Sequence, residues 1–295
     1  MSEMAEHARR ALDLSDDERS RYTFHERFVR YPAADLIIDD LTVLMNHPRV
    51  HRMPNRLLVG ETNNGKTALI RHFMSLHPSS NDPGLEAAIV PIVYIQAPPV
   101  PEEHRFYGAL LDAIGATHRH WFRTSELFYQ ARNLLPRVGL KMLFIDEIHN
   151  ILAGSSKKHQ AFLNTLKYIG NELMVPVIGA GTGDALRAVQ SDPQIENRFE
   201  PLEIPRWKCT NDWRRFLATF ELELPLRKPS DLADPRLAQR LHSMSEGTVG
   251  ELSRLLQRAM AQAIRGGEER ICDAVLDRLQ WIAPSVRRQH ALAVI

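Results

Sequence analysis

Short apolar runs alternate along the chain with longer stretches in which apolar residues recur every three or four positions. The short runs, at residues 56–59, 89–95, 141–145 and 175–179, are typical of strands that are buried on both faces of a sheet. A helical stretch precedes them at residues 34–44, and further helical stretches lie between them. This alternation predicts an α/β fold in which a parallel sheet is covered by helices on both faces.

The pattern changes after Trp207. Four helical stretches follow, at residues 212–223, 234–245, 249–265 and 271–282, and no run there has the character of a strand. The chain before residue 34 is polar and charged, with a weak periodicity that fits one helix. We therefore divide the chain into an N-terminal extension (1–33), an α/β core (34–207), a small all-α domain (208–282) and a C-terminal tail (283–295).

Composition and charge narrow the class of protein. The 295 residues are 44% hydrophobic and 25% charged, as in ordinary soluble globular proteins. Lys and Arg number 37 against 36 Asp and Glu, so nucleic-acid binding would need a local basic patch. Cys209 and Cys272 are far apart in sequence, which excludes a disulfide framework and a cysteine metal site. No apolar run resembles a signal peptide or a membrane helix, so we expect a cytoplasmic protein with no membrane contact.

A glycine-rich loop follows the first predicted strand and precedes a helix. It matches the phosphate-loop (Walker A) pattern G-x-x-x-x-G-K-[ST], in which backbone N–H groups surround the phosphates of a nucleotide. Lys66 supplies a positive charge to the β- and γ-phosphates, and the hydroxyl of Thr67 is placed to bind Mg²⁺. We therefore predict ATP and Mg²⁺ as ligands. The residues assigned to nucleotide binding are Gly60, Glu61, Thr62, Asn63, Asn64, Gly65, Lys66 and Thr67.

The predicted strand at residues 141–145 ends in two carboxylates, Asp146 and Glu147. Asp146 would bind Mg²⁺ as a Walker B aspartate, and Glu147 would be the base that orients the attacking water. These two residues also begin a tetrapeptide, ending at His149, that fits the DExH pattern of helicases. Such helicases need a second RecA-like domain, and the helical residues 208–295 are too short to form one.

Two further polar residues are candidates for catalysis. Thr182 ends a predicted strand, where AAA+ ATPases carry a polar residue (sensor 1) that contacts the γ-phosphate or the attacking water; the alternative is a simple helix cap. Arg198 precedes the last predicted core strand and resembles the arginine finger that completes a neighbouring AAA+ subunit's site. The alternatives are an ion pair of Arg198 with Glu196 or Glu200, and Arg206 as the finger.

The helical region departs from the AAA+ pattern in one respect. The position that commonly carries a sensor-2 arginine, three residues after Gly247, is occupied by Gly250. Arg254 lies one turn later and is a weak substitute. Nucleotide sensing by this region is therefore in question, and the missing arginine favours slow turnover.

Beyond these motifs, several stretches resemble TniB, the AAA+ ATPase of Tn5053-type transposons and a relative of TnsC. They lie at residues 52–55, 60–67, 145–154, 170–173, 196–201, 224–227 and 245–252. The resemblance spans roughly residues 20–282 and implies a P-loop NTPase of the AAA+ type, with the all-α region 208–282 as its helical lid domain.

The resemblance also implies a function. TniB-type proteins bind double-stranded DNA through its phosphate backbone, without sequence preference, and self-associate into ATP-bridged filaments or rings. They regulate transposition by recruiting or activating a DDE-type transposase together with a TniQ-type targeting partner, and hydrolysis then remodels the assembly. Two alternatives stay open, a replication-type helicase loader and a nucleotide-switched adaptor that scarcely hydrolyses ATP.

DNA contact is poorly marked in the sequence. A basic stretch interleaved with Trp121 and Phe122 contains the candidate DNA-binding residues Arg105, Arg119 and Arg123. Lys157 and Lys158 are expected in a loop after the acidic strand and are weaker candidates. The alternative for all of them is an ordinary solvated surface.

Overall fold

The computed structural model describes residues 4–22, 28–82, 84, 88–152, 156–190 and 196–293. Its α/β part contains a five-stranded sheet in which every pairing is parallel, which confirms the predicted sheet. The strands are β1 (Asn55–Gly60), β2 (Ile92–Gln96), β3 (Met142–Asp146), β4 (Val177–Gly181) and β5 (Phe199–Ile204). They are arranged in the order β2-β3-β4-β1-β5.

The strand order determines which residues meet at the carboxyl edge of the sheet. Strand β4 lies between β3 and β1, and Gly60 at the end of β1 is opposite Ile204 at the end of β5. Because the strands are parallel, β1, β3 and β4 end at the same edge, at Gly60, Asp146 and Gly181. Ligands of open α/β sheets bind at this edge.

Strand β2 begins later than the predicted run at residues 89–95. Pro91 has no N–H to donate to a neighbouring strand, and its carbonyl accepts the N–H groups of Lys141 and Met142. Ile89 forms only an isolated antiparallel bridge with Ser80. The strand therefore starts at Ile92.

Thirteen α-helices lie in the described residues. In chain order they are α1 (Glu6–Ala11), α2 (Asp16–Tyr22), α3 (Pro32–Met45), α4 (Lys66–Leu76), α5 (Glu103–Ala113), α6 (Thr124–Arg137), α7 (Ser156–Leu173), α8 (Gly183–Gln190), α9 (Asn211–Glu221), α10 (Pro235–Ser245), α11 (Val249–Arg265), α12 (Asp273–Asp277) and α13 (Pro284–Ala293). Helix α5 packs on β2 and α8 on β1, and Phe106, Phe144 and Phe162 are fully buried in the core of the α/β part.

The residues form two compact units. The first contains Ala33–Thr62 and Leu69–Pro205, and so holds the sheet. The second contains Met1–Pro32, Arg206–Ile295 and the short segment Asn63–Ala68 of the phosphate loop. In its described part the second unit contains no strand, as predicted after Trp207. The division into extension, core, lid and tail stays a prediction.

A buried ion pair fastens α2 within the helical unit. The guanidinium of Arg19, which is fully buried, donates to both carboxylate oxygens of Glu269, at 2.6 and 2.9 Å. Arg227 also pairs with Glu269, at 2.9 Å. The hydrogen bond from Arg19 is the main cause that lowers the pKa of Glu269 to about 2.

Two helix predictions in this unit were wrong. The region before residue 34, expected to hold one helix, contains α1 and α2 and the start of α3. The helix predicted at residues 271–282 is only α12, because its flanks make other bonds. Ile271 donates its N–H to the hydroxyl of Ser230, and the indole of Trp281 donates to the carbonyl of Met244, both at 2.8 Å. The tail carries a further helix, α13.

Candidate nucleotide-binding site

The phosphate loop runs from the end of β1 into the first turn of α4. Asn63 (φ 62°) and Gly65 (φ 87°) have left-handed backbone conformations, which turn the chain sharply between strand and helix. Lys66 and Thr67 are the first residues of α4, where the helix dipole favours an anion. Glu61, Thr62 and Asn63 are exposed, and Gly60, Asn64 and Lys66 are buried.

Asp146 is almost fully buried at the end of β3, where two donors hold its carboxylate. Its Oδ1 accepts the N–H of Glu147, and its Oδ2 accepts the hydroxyl of Tyr94 on β2, both at 2.8 Å. Burial, and then the hydrogen bond to Asp146, raise the pKa of Tyr94, so this hydroxyl keeps its proton and remains a donor. Sequence reasoning missed Tyr94, which lies inside an apolar run.

Glu147 follows directly and has a left-handed backbone (φ 53°). Its side chain is 38% exposed, and its Oε2 lies 3.1 Å from Nε2 of His149 in the short 3-10 helix Ile148–Leu152. The residue that suggested a helicase pattern is therefore the partner of the expected catalytic carboxylate. Nδ1 of His149 is buried and has no hydrogen-bond partner among the described residues.

Thr182 is the first residue after β4, and it is partly buried. Because β4 lies between β3 and β1, Thr182 lies at the carboxyl edge between the ends of the two Walker strands. Its carbonyl accepts the N–H of Ala185 at 2.9 Å and so also begins α8. The position of Thr182 is compatible both with a sensor that contacts the γ-phosphate or the attacking water and with a simple cap of α8. The sensor role stays a prediction.

Arg198 lies at the opposite, amino edge of the sheet. It directly precedes β5, whose first residue, Phe199, is opposite Asn55 at the start of β1. The length of β1 therefore separates Arg198 from Gly60, about 16 Å at the usual rise of a strand. Arg206 follows β5 and so does not share this position.

The guanidinium of Arg198 is held by a neutral group. Its Nη1 donates to Oδ1 of Asn171 at 2.9 Å, and burial, followed by the nearby charge of Arg52, lowers its pKa. Glu200, an alternative partner of Arg198 suggested by its position in the sequence, pairs with Arg56 at 3.1 Å. Arg198 also lines a groove of about 600 Å³ at this edge. Its surroundings therefore favour an anionic partner.

The contacts of position 250 within the helical unit explain why this residue is a glycine. Its N–H donates to the carbonyl of Asn63 in the phosphate loop at 2.9 Å. A β-carbon added to Gly250 would collide with the side-chain amide of Asn63 and lie 2.6 Å from its carbonyl oxygen. The close approach of the loop thus explains why no arginine occupies this position. Arg254 pairs with Glu251 at 3.5 Å.

The three arginines predicted to bind DNA lie along α5, α6 and the loop between them. Arg105 on α5 is exposed and pairs with Glu102 at 2.8 Å. In the loop, Arg119 lies over the ring of Trp121, 5.4 Å from its centroid, and Trp121 is 64% exposed. Arg123 is exposed at the start of α6. Helices α5 and α6 pack together, so all three belong to one helical hairpin.

The predicted position of the lysine pair was wrong. Lys157 and Lys158 lie in the first turn of α7 instead of in a loop, and both are exposed. A lysine near a helix N-terminus is placed unfavourably with respect to the helix dipole.

The chemistry of the assigned residues fits a nucleotide with its magnesium ion. A buried lysine and the N-terminus of α4 are suited to phosphates, and the hydroxyl of Thr67 and the carboxylate of Asp146 are oxygen donors of the kind that Mg²⁺ prefers. In the described part of the chain, no group of three or more His, Cys, Asp or Glu could hold a metal. A magnesium ion would thus need phosphate oxygens or waters as its remaining ligands.

None of the described helices is both long enough and apolar enough to span a membrane.

Comparison with known proteins defines the fold and the family. A curated relative, the chaperone protein ClpB of Meiothermus ruber, is 31% identical over 150 residues, which are 50% of this chain but only 16% of ClpB. The Orc1 protein of Aeropyrum pernix, solved in complex with DNA, has a TM-score of 0.63 at 19% identity, over 92% of this chain and 69% of that one. The RuvB Holliday junction branch migration motor of Thermotoga maritima has a TM-score of 0.54 at 15% identity, over 87% of this chain and 72% of RuvB.

These structural likenesses confirm the P-loop NTPase fold of the AAA+ type. Residues 19–209, well over half of the chain, match the family described as Bacterial TniB protein. The match extends on both sides of the Walker motifs and includes five of the seven stretches whose sequence resembles TniB, whereas the stretches at residues 224–227 and 245–252 lie beyond it. The chain therefore has the fold of AAA+ P-loop ATPases and belongs to the TniB family.

Proposed function

We propose that this protein is an ATP-dependent, double-stranded-DNA-binding AAA+ regulator of transposition. One observation carries the proposal: in a chain of the TniB family, β1, which leads into the phosphate loop, and β3, which ends at Asp146 directly before Glu147, flank β4, which is followed by Thr182. All three strands end at the carboxyl edge of one parallel sheet, where nucleotides bind in such folds.

The reaction is hydrolysis of ATP to ADP and phosphate. Backbone N–H groups of the phosphate loop and Lys66 bind the β- and γ-phosphates, and Thr67 and Asp146 hold Mg²⁺. Bound Mg²⁺ supplies a positive charge that neutralises the phosphate oxygens. Glu147 accepts a proton from the attacking water and orients it, and Thr182 contacts that water or the γ-phosphate.

Arg198 acts on a neighbouring subunit's nucleotide. It lies at the amino edge of its own sheet, a strand's length from Gly60, and its described hydrogen bond is to the neutral Asn171. A heterologous contact between subunits would place such an arginine against the next subunit's γ-phosphate, where it stabilises the charge of the transferred group. Contacts of this type build an ATP-bridged filament or ring.

DNA is bound through its phosphates, without reading of bases. The hairpin of α5 and α6 offers Arg105, Arg119 and Arg123, together with the exposed ring of Trp121. The Orc1 protein with a similar fold was solved in complex with DNA. Recruitment of a DDE-type transposase with a TniQ-type partner is the role that membership of the TniB family supports.

The test is ATP-dependent assembly on DNA. Purified protein is mixed with random-sequence double-stranded DNA and ATP, ADP or no nucleotide, and examined by sedimentation and electron microscopy. We expect filaments or rings on DNA with ATP alone, and none with the control Lys66→Ala, which removes the phosphate-binding charge. Assembly should then make the DNA a preferred target for the element's DDE-type transposase and TniQ-type partner.

A second outcome would favour a different function. No DNA association with any nucleotide would support the helicase loader or the nucleotide-switched adaptor. The glycine at position 250 favours the adaptor, because the lid then offers no arginine at the usual sensor position and turnover would be slow. A rate of ATP hydrolysis near zero together with tight ATP binding would identify the protein as a nucleotide-switched adaptor.

A further inference from the structure

Glu251, near the start of α11, is a buried carboxylate with three polar partners. Its side chain accepts a hydrogen bond from the side-chain amide of Asn63, at 3.0 Å, and pairs with Arg287 of α13. Arg254 lies further away, at 3.5 Å. Burying a carboxylate to 8% exposure costs free energy, which polar partners of this kind offset. Glu251 therefore joins the last helix of the chain to the phosphate loop.

In the phosphate loop, the contacts with α11 set the direction of the peptide group between Asn63 and Asn64. The carbonyl of Asn63 accepts the N–H of Gly250, and its side chain donates to Glu251, so α11 holds this residue at two points. In a planar trans peptide the C=O and the following N–H point in opposite directions. The N–H of Asn64 therefore points away from α11. Phosphate loops bind phosphates with such N–H groups, so holding Asn63 orients a donor for the nucleotide.

At the other end, Arg287 is itself held in place. Its guanidinium lies over the ring of Trp281, 5.4 Å from the centroid, and Arg258 lies 5.7 Å from the same ring. The indole N–H of Trp281 donates to the carbonyl of Met244 at 2.8 Å, which fixes the ring. Arg287 is therefore positioned between an anchored aromatic ring and the carboxylate of Glu251.

We propose that Glu251 is a positioning residue through which α13 sets the affinity of the phosphate loop for nucleotide. The inference rests on the proposed function, since it assigns regulation to the same nucleotide site. With Arg287 in place, Glu251 is held toward Asn63 and the loop keeps its binding conformation. When Arg287 is removed or α13 is displaced, the more distant Arg254 is the one described cation left to hold Glu251, so the carboxylate positions Asn63 less firmly and nucleotide binds less tightly.

The first measurement is the Kd of the full chain for a fluorescent N-methylanthraniloyl derivative of ATP. We expect Arg287→Ala to weaken binding about fivefold or more, the lower end of typical couplings between sites. Arg287→Lys, which keeps the charge, should recover part of the affinity, and Glu251→Gln should weaken binding as Arg287→Ala does. The matched control is Arg288→Ala on the same helix, because Arg288 is 67% exposed and pairs with Glu246 at 3.6 Å. Its affinity should stay within about twofold, as for an exposed ion pair.

A second background separates positioning from general support of the fold. Asn63→Gly removes the side-chain amide but permits the left-handed backbone at this position. If Arg287 acts through Glu251 and Asn63, Arg287→Ala should cause no further loss of affinity in the Asn63→Gly background. An equal loss in both backgrounds would overturn the proposal. Thermal unfolding without nucleotide checks that each variant folds. If Arg287→Ala does not fold, Arg287→Lys and Glu251→Gln replace it in the same comparison.

The remaining outcomes are distinct from one another. If wild-type protein does not bind the ATP derivative, the proposed function fails, and this inference fails with it. If wild-type protein binds and Arg287→Ala binds equally well, only this inference is overturned.

Discussion

The hydroxyl of Tyr94 donates to the carboxylate of Asp146 at 2.8 Å, across the pair formed by β2 and β3. One oxygen of the Walker B carboxylate is thereby fixed by a neutral donor, which is partly buried in the neighbouring strand.

Tyr94→Phe should leave the fold intact and raise the magnesium concentration needed for half-maximal ATP hydrolysis by about 10-fold, as is usual when the partner of a metal ligand is removed. The measurement is the hydrolysis rate as a function of Mg²⁺. Tyr107→Phe is the matched control, since Tyr107 is buried and packs on Phe106 in α5. Equal magnesium dependence in both variants would contradict a role for the Tyr94 hydroxyl.

Glu147→Gln should bind ATP and assemble with normal affinity but hydrolyse it about 10² to 10⁴ times more slowly, because an amide cannot accept the proton of the attacking water. The glutamine oxygen can still face His149, which limits any structural change. Single-turnover hydrolysis and nucleotide affinity are measured on the same sample. A wild-type rate in this variant would refute the assignment of Glu147 as the base.

Arg198→Ala should bind nucleotide normally but hydrolyse ATP slowly. Mixing it with a second inactive variant, Glu147→Gln, should restore part of the hydrolysis. In an equal mixture with Glu147→Gln, an intact site on the Arg198→Ala subunit receives Arg198 from its Glu147→Gln neighbour. Random assembly through a heterologous interface then restores about a quarter of the wild-type rate. If two individually inactive variants remain inactive when mixed, Arg198 does not act between subunits.

Gly250→Ala should weaken nucleotide binding several-fold, because its methyl group would collide with Asn63 and move the phosphate loop. Gly183→Ala is the control, since a β-carbon at Gly183 meets no atom within 4 Å. Both variants are compared by nucleotide affinity and by thermal unfolding. Unchanged affinity in Gly250→Ala would show that the loop tolerates a different contact with α11.

Arg19→Leu should reduce the free energy of unfolding by about 3 kcal/mol at neutral pH, the lower end of the usual cost of removing one partner of a buried pair, since Arg227 still pairs with Glu269. Because Arg19 is the main cause that lowers the pKa of Glu269 from 4.5 to about 2, the stabilisation from this ion pair is present above pH 4.5 and is lost as the pH falls toward 2. Thermal unfolding of both proteins across this pH range should converge at the acid end. A difference that persists at low pH would contradict the role of this ion pair.

Features that depend on residues close together in the sequence were predicted better than contacts between residues far apart along the chain. The loop between β1 and α4, the pair of carboxylates at the end of β3 and the helix at Val249–Arg265 each depend on residues that are close in sequence, and each was predicted where it lies. The contact of Tyr94 with Asp146 depends on the register of two strands that are far apart along the chain, which no local pattern records.

The same reasoning explains the error at residues 271–282. Apolar spacing there continues beyond the helix, but Ile271 donates its N–H to the hydroxyl of Ser230, and Trp281 donates its N–H to the carbonyl of Leu279, only two residues earlier, instead of continuing the helical i to i−4 bonds. Likewise, Gly250 looked like the loss of a functional arginine, and only its approach to Asn63 explains the glycine.

If Arg198 acts on a neighbouring subunit as proposed, its position at the far edge of its own sheet has a kinetic consequence. A solitary molecule would have the parts to hold ATP but would lack the arginine that speeds its hydrolysis, so the rate per molecule would rise with local density. On a length of DNA, the interior members of a row would consume ATP while the member at one end, which has no arginine facing its nucleotide, would retain it. The two ends of each row would then differ in nucleotide state, and a partner that recognises the ATP state would bind at one end.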